Sequence, residues 1–279
     1  MPPCFRDAAA NFWPGARSKG RGEPEQAAGR ARGASPALQN NFTPSSQPAQ
    51  WRKRRLEFLV REEEEEKLAA EKGKRRLNPP FLSFLPSAAS PEFSDARFYR
   101  DDVFFDPETA HPRLEVSKDG KCVKDTGNIS NVSKSKKRFD SHIFILAKDG
   151  FSKGKHYWEV EVGQKKNWVL GVASESICRT GIIIQSVQNG FWVIKLENGK
   201  EYWAQENRLS VKLNEKPSRI GIFLNISNKS LVFYEAHRKL KLYTFTDSFS
   251  EKLYPFFSTG LEADSLPLRI PPYFEEEED

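Results

Sequence analysis

The chain has 279 residues, 38% of them hydrophobic and 29% charged, a mixture that suits one folded domain with solvated segments attached. Its net charge of +6 is local: residues 1–76 hold 16 Lys/Arg against 10 Asp/Glu, and the remainder holds 28 of each. The basic balance therefore belongs to the N-terminal quarter and does not imply a folded nucleic-acid-binding surface.

Residues 1–50 are rich in Ala, Gly, Pro, Ser and Arg without periodicity and are expected to be disordered. Residues 51–76, WRKRRLEFLVREEEEEKLAAEKGKRR, are strong helix formers, with Glu63 four residues before Lys67. Leu56, Leu59, Val60 and Leu68 give only a thin apolar stripe. Two readings stand: a solvated helical linker, or the end of a coiled coil (giving weak self-association) or juxtamembrane helix of a longer relative. The basic clusters Arg52–Arg55 and Lys74–Arg76 fit either a plain charged segment or a nuclear-import or acidic-phospholipid signal. Pro79, Pro80, Pro86 and Pro91 break any helix and make 77–97 a linker.

From Asp102 onward, short apolar runs alternate with Gly, Asn and Pro, the pattern of an all-β sandwich or barrel. Trp158, Val160 and Val162 share one strand face, with Glu159 and Glu161 on the other. GQKKN turns the chain, and Trp168, Leu170 and Val172 alternate along the returning strand. Trp192, Ile194 and Leu196 repeat the pattern, and Asn198-Gly199 is a two-residue hairpin signal. Ile220, Ile222 and Leu224 begin another strand; LVFYE, LKLYTF and LYPFF supply three more. Trp158 and Trp168 are expected in the core, since an indole fills the space between packed sheets. IIIQSVQNG at 182–190 reads equally as a strand or an apolar loop.

These motifs carry a resemblance. DVFFDPETAHPRLEVSKDGKCVK looks like the PRY segment. RFD at 138–140, GFSKGKHYWEVEVG, NWVLGVA, NGFWVIKL, RIGIFL, LVFYEA and LYPFFSTG resemble, in this order, the SPRY domain. The likeness spans about 98–271 and leaves 272–279 as an acidic tail. It implies a bent antiparallel β-sandwich (a concanavalin-like jelly roll) with no catalytic chemistry. Such domains end tripartite-motif (TRIM) ubiquitin ligases and the cytosolic tails of butyrophilins. The implied role is protein or peptide recognition in innate-immune, ubiquitin-targeting or butyrophilin-type signalling, in the cytoplasm, with the basic clusters leaving a nuclear location open.

Specificity in the resembled families lies in loops and in a shallow groove beside them. On the strand 191–197, Phe191, Val193, Lys195 and Glu197 face away from the inward set. The expected partner-binding residues are Lys195, Glu197, Trp203, Leu261 and Arg179, with the loop 175–188. In antibody-binding relatives the positions of Lys195 and Glu197 are aromatic, so antibody is not the expected partner. The bland readings are an exposed cross-strand charge pair for Lys195 and Glu197, and a core or hairpin-covering role for Trp203.

An alternative from another class is a sensor of phosphorylated small molecules, with His111, Arg113 and the Lys165/Lys166 turn as its basic pocket. The His that follows the Trp in phosphate-sensing butyrophilins is Val169 here, which weighs against it. A third reading is nucleic-acid or acidic-lipid binding through 51–76. Chemistry finds no foothold: Cys178 with His156 or His237 lacks the context of a thiol–imidazole pair, and GFSKGKH is no phosphate loop. Three cysteines (Cys4, Cys122, Cys178) and four histidines show no paired zinc spacing, so no metal and no cofactor is expected. No run of about 18 apolar residues spans a membrane.

Overall fold

Period-two alternation becomes antiparallel pairing from residue 114 onward. The computed structural model describes residues 53, 55–61, 64, 91–133, 135–205, 207–209, 216–260 and 266–272. The expected disordered segment, most of the linker, Leu261 and most of the acidic tail lie outside the described residues. In chain order the elements are α1 (55–61), α2 (Pro91–Ala96) and a 3-10 turn Arg97–Tyr99. Strands β1 (Leu114–Val116), β2 (Cys122–Asp125), β3 (Phe144–Leu146), β4 (Lys155–Glu161) and β5 (Trp168–Ser174) follow. After a 3-10 turn Val187–Asn189 come β6 (Phe191–Glu197), β7 (Glu201–Ala204), β8 (Asn207–Arg208) and β9 (Arg219–Asn225). Last are β10 (Ser230–Glu235), β11 (Leu240–Thr246), β12 (Leu253–Ser258) and β13 (Leu268–Arg269).

The strands form two antiparallel sheets, in the orders β1-β2-β13-β4-β9-β10-β11 and β3-β12-β5-β6-β7-β8. The all-β sandwich is therefore observed. Trp158 on β4 and Trp168 on β5 are each 1% exposed and belong to one cluster between the sheets. One expectation changes. β4 pairs with β9 and β5 with β6 and β12, so residues 162–167 cross from one sheet to the other instead of closing a hairpin. The alternation is right for both strands, because period two specifies which face is buried and not which strand lies alongside. The Asn198-Gly199 turn is as expected: both residues have positive φ, 52° and 69°, and they join β6 to β7.

The outer face of the seven-stranded sheet is covered at its centre, over β4, β9 and β10. Residues 91–96, expected within the linker, form α2. Its Phe93 and Ala96 are fully buried against Tyr157, Val232 and Tyr234, with the Phe93 ring edge-on to Tyr234 at 5.0 Å. The helix α1 is docked, not solvated all round. Phe58 stacks on Phe98 at 4.5 Å, and Arg55 Nη2 donates to the Arg100 carbonyl at 3.3 Å. Its Leu56 and Val60 face outward, 64% and 47% exposed. Beneath this cover Glu159 is buried and paired. It accepts from the Tyr157 hydroxyl at 2.7 Å and from Arg219 Nη1 at 3.3 Å, with Arg100 Nη2 at 4.0 Å. Burial and the adjacent Glu159 carboxylate push the Tyr157 hydroxyl well above its usual pKa.

Candidate functional site

The outer face of the six-stranded sheet is covered over one half and open over the other. Four strands present apolar side chains outward: Phe144 and Leu146 from β3, Phe256 from β12, Ala173 from β5, and Phe191 and Val193 from β6. Phe139, Ile177 and Ile183 close over them in a second apolar cluster. Phe191 and Val193 face outward as the strand period requires, yet they are only 1% and 3% exposed. The face expected to line a groove is, at this end, a second core. The sequence does carry the signal, since WVLGVA and FWVI are apolar on both strand faces, as strands covered on both sides are.

The 182–190 stretch left open between strand and loop is a loop ending in the Val187–Asn189 turn. Burial alternates along it: Ile182 is 68% exposed, Ile183 8% and Ile184 67%. The bent segment 138–142, just before β3, holds it. The Asp140 N–H donates to the Arg179 carbonyl at 3.2 Å, the Gly181 N–H to Asp140 Oδ1 at 2.9 Å, and the Ile183 N–H to His142 Nε2 at 3.0 Å. His142 is stacked on Phe144 at 4.9 Å, and burial lowers its pKa. Sequence reading missed Asp140, His142 and Phe139 because their partners lie about forty residues away in the chain.

The open half lies beside this loop. Val169, Lys195 and Trp203 stand side by side across β5, β6 and β7. The Lys195 ammonium lies 5.6 Å from the Trp203 ring centroid and pairs with Glu197 at 2.8 Å. The charge pair is real but not cross-strand: the residues are two apart on β6 and so share a face. Directly across from Glu197 stands Glu201, which leaves Lys195 between an indole face and an acidic edge. Trp203 is half-buried on this outer face, while its neighbour Tyr202 points inward to Trp168 at 6.2 Å. Its indole N–H finds no acceptor among the described residues.

Of the five expected binding residues, Lys195, Glu197 and Trp203 are brought together. Arg179 is not with them. Its guanidinium lies 5.1 Å over Phe139 in the covered half, where burial lowers its pKa. The basic pocket of the small-molecule reading does not assemble. Arg113 makes a two-pronged bond to Asp125 at 3.0 and 2.6 Å, and Lys165 is fully buried with its ammonium on the Leu266 carbonyl at 2.8 Å. His111 is buried and accepts the Arg113 N–H. A cavity of about 150 Å³ is lined by Asp101, Asp102, Val103, Phe104, Ala147, Asp149 and Phe151, an acidic lining unsuited to phosphate. The thiol–imidazole pair fails too. Cys178 lies on the loop after β5, while His156, on β4 of the other sheet, bonds Asp101 at 3.0 Å. Among the described residues no three His, Cys, Asp or Glu are placed to hold a metal, and no helix is long and apolar enough to cross a membrane.

Two antiparallel sheets, a core between them and a half-open outer face bordered by loops define an interaction domain of the β-sandwich class. Comparison gives the family. The PRY, or SPRY-associated, model matches residues 103–151 and the SPRY model residues 155–268. The chain belongs to the PRY–SPRY domain family. It is 39% identical over 181 residues to the human erythroid membrane-associated protein, covering 64% of this chain and 38% of that protein. It is 39% identical over 180 residues to the mouse E3 ubiquitin-protein ligase TRIM58, covering 64% of this chain and 36% of that one. The chain thus spans little more than a third of these relatives. Among solved structures it resembles the TRIM65 PSpry domain, with a TM-score of 0.53, 21% identity, and coverage of 68% of this chain and 99% of that one; this likeness shows the fold alone. A stonustoxin structure matches at a TM-score of 0.56 and 29% identity, covering 64% of this chain and 30% of that one. SPRY domains are interaction modules, and the relatives that share this one include TRIM58 and the erythroid membrane-associated protein.

Proposed function

We propose that this chain is a non-catalytic recognition protein that takes a protein or peptide partner on the open half of the outer face, through Lys195, Glu197 and Trp203. Arg179 belongs to the 175–188 loop, which forms one wall, and Leu261, expected at the same site, lies outside the described residues. The observation that supports this most directly is the contrast within one sheet face. The chain seals one half with apolar side chains and leaves an indole, an ammonium and a carboxylate together on the other. A half-buried tryptophan beside a charge pair is the composition of an interface anchor, because its flat area excludes water from the neighbouring polar contacts.

The biological setting, by likeness to the relatives, is innate-immune, ubiquitin-targeting or butyrophilin-type signalling. The location is cytoplasmic, or nuclear if the basic clusters are read by the import machinery. Residues 51–76 self-associate weakly if Leu56 and Val60 form a seam, and they are the segment that would meet acidic lipid or nucleic acid. A phosphate sensor is the weaker reading, since the cations it needs are engaged internally.

The test is a pull-down from cell lysate with the full chain, compared with a Lys195→Ala/Glu197→Ala/Trp203→Ala variant shown by its thermal melt to be folded. Partners captured by the wild type and lost from the folded variant support the reading. Equal capture by both moves the site elsewhere.

A further inference from the structure

The loop that closes over the covered half is held by a titratable group. Residues 179–183 bond to 140–142 through the Asp140 N–H, the Asp140 carboxylate and the His142 ring. The first two bonds end on oxygen acceptors. The third ends on an imidazole nitrogen. His142 Nε2 can accept the Ile183 N–H only while that nitrogen carries no proton, which fixes the neutral ring with its proton on Nδ1. A protonated imidazole has donors on both nitrogens, so the same contact would set an N–H against an N–H.

We propose that the Ile183 N–H···Nε2 His142 bond is an acid-labile clasp, so that protonation of His142 loosens residues 179–185 and displaces the exposed pair Ile182 and Ile184. The bond sits where it can matter. Ile183 is the loop's buried contact with the second apolar cluster, and Ile182 and Ile184 are the large apolar side chains it holds outward. Releasing the Ile183 main chain therefore uncouples the outward pair from the sheet beneath it.

The surroundings set the direction. Phe144 stacks on the ring, and desolvation disfavours its charged form. Asp140 is the charged group facing it and acts the other way, but it is the smaller influence and is already occupied by Gly181 and Ser141. Arg179 packs on Phe139, not on the imidazole. The other histidine beside this segment, His111, faces Asp140, Arg113 and Asp125; it too accepts a main-chain N–H, from Arg113 at 3.2 Å. Closed, the loop excludes the proton; open, His142 returns to the ordinary histidine range near 6.5. Acid therefore favours the open loop, and above that range the clasp is fully made.

The clasp itself needs no partner, and only its consequence for recognition rests on the function proposed above. The experiment is amide hydrogen exchange on the full-length, isotope-labelled chain between about pH 7.5 and 5, corrected for intrinsic rates. The Ile183 and Gly181 amides are followed, with Ile222 as the core reference. The expected result is protection of Ile183 and Gly181 falling below about pH 6.5 by up to tenfold per pH unit, with Ile222 unchanged. In His142→Gln, whose amide oxygen can accept the same N–H at every pH, protection should be retained and flat. Protection that is flat in the wild type, that falls together with Ile222, or that falls equally in His142→Gln would overturn the proposal. Loss of partner capture by Lys195 and Trp203 variants tests the recognition reading separately.

Discussion

The outer faces of the two sheets solve the same problem in opposite ways. On the seven-stranded sheet the face is sealed over the middle of β4: α2 buries Phe93, Tyr99 and α1 lie beyond it, and the charges trapped beneath are paired in a Tyr157–Glu159–Arg219–Arg100 network. On the six-stranded sheet only half is sealed, and the charged side chains of the other half remain partly in water, Lys195 at 31% and Glu197 at 42% exposure. A face that must stay rigid hides its ion pairs, where each loss is expensive. Ion pairs left at the rim, such as Lys195–Glu197, cost little to hold and little to rearrange.

That difference can be broken from either side. The largest effect is expected beneath the sealed face. Glu159→Ala leaves Arg100 and Arg219 without their buried carboxylate and should destabilise by about 3–5 kcal/mol, read from the midpoint of urea unfolding. Phe93→Ala should fall in the same range, about 3–5 kcal/mol, because the ring is fully buried and its helix has little else to hold it. Phe139→Ala, the matching plug of the other face, should cost a similar amount and also expose Arg179, which now lies over that ring. A negligible loss there would mean the second cluster is not a core.

The pH dependence comes next. Burial lowers the folded-state pKa of both His111 and His142, so the unfolded chain binds more protons just below the usual histidine range. Stability from these groups is complete above about pH 6.5 and declines as the pH falls through that value toward the folded-state pKa values. Thermal melts at pH 7.5, 6.5 and 5.5 should step downward, and the His111→Asn/His142→Gln double variant should show the smaller step. Phe58→Ala removes one aromatic stack and should cost about 0.5–1.5 kcal/mol at most, seen as faster proteolysis of residues 51–76. The smallest effect belongs to the open face: Lys195→Ala should change stability by only about 0.2–1 kcal/mol. If it also leaves partner capture intact, the contrast between the faces is structural only.

Reading the site from sequence succeeded where information is local and stopped where it is not. Strand alternation put Trp158, Trp168, Trp192 and their companions inside and put Phe191, Val193, Lys195 and Glu197 on the outer face. The two-sided apolar runs WVLGVA and FWVI mark Phe191 and Val193 as covered, but alternation could not say by what, because the covering side chains, Phe139, Ile177 and Ile183, come from segments with no regular period. Trp203 is a related case: its face follows from β7, but its place beside Lys195 depends on the strand register set by the Asn198-Gly199 turn.

By itself, then, the sequence determined the fold class, the order of the strands along the chain, the inward tryptophans and the family. The first three follow from period-two patterning and from turns closed by their own residues, the family from motifs matched in order along the chain. Tertiary structure alone decided that β4 and β5 belong to different sheets, that α1 and α2 seal one face, and that His142 holds the loop at Ile183. Each of these depends on contacts between residues far apart in the chain, whose pairing is set by the shape of the whole core and leaves no mark on the local pattern.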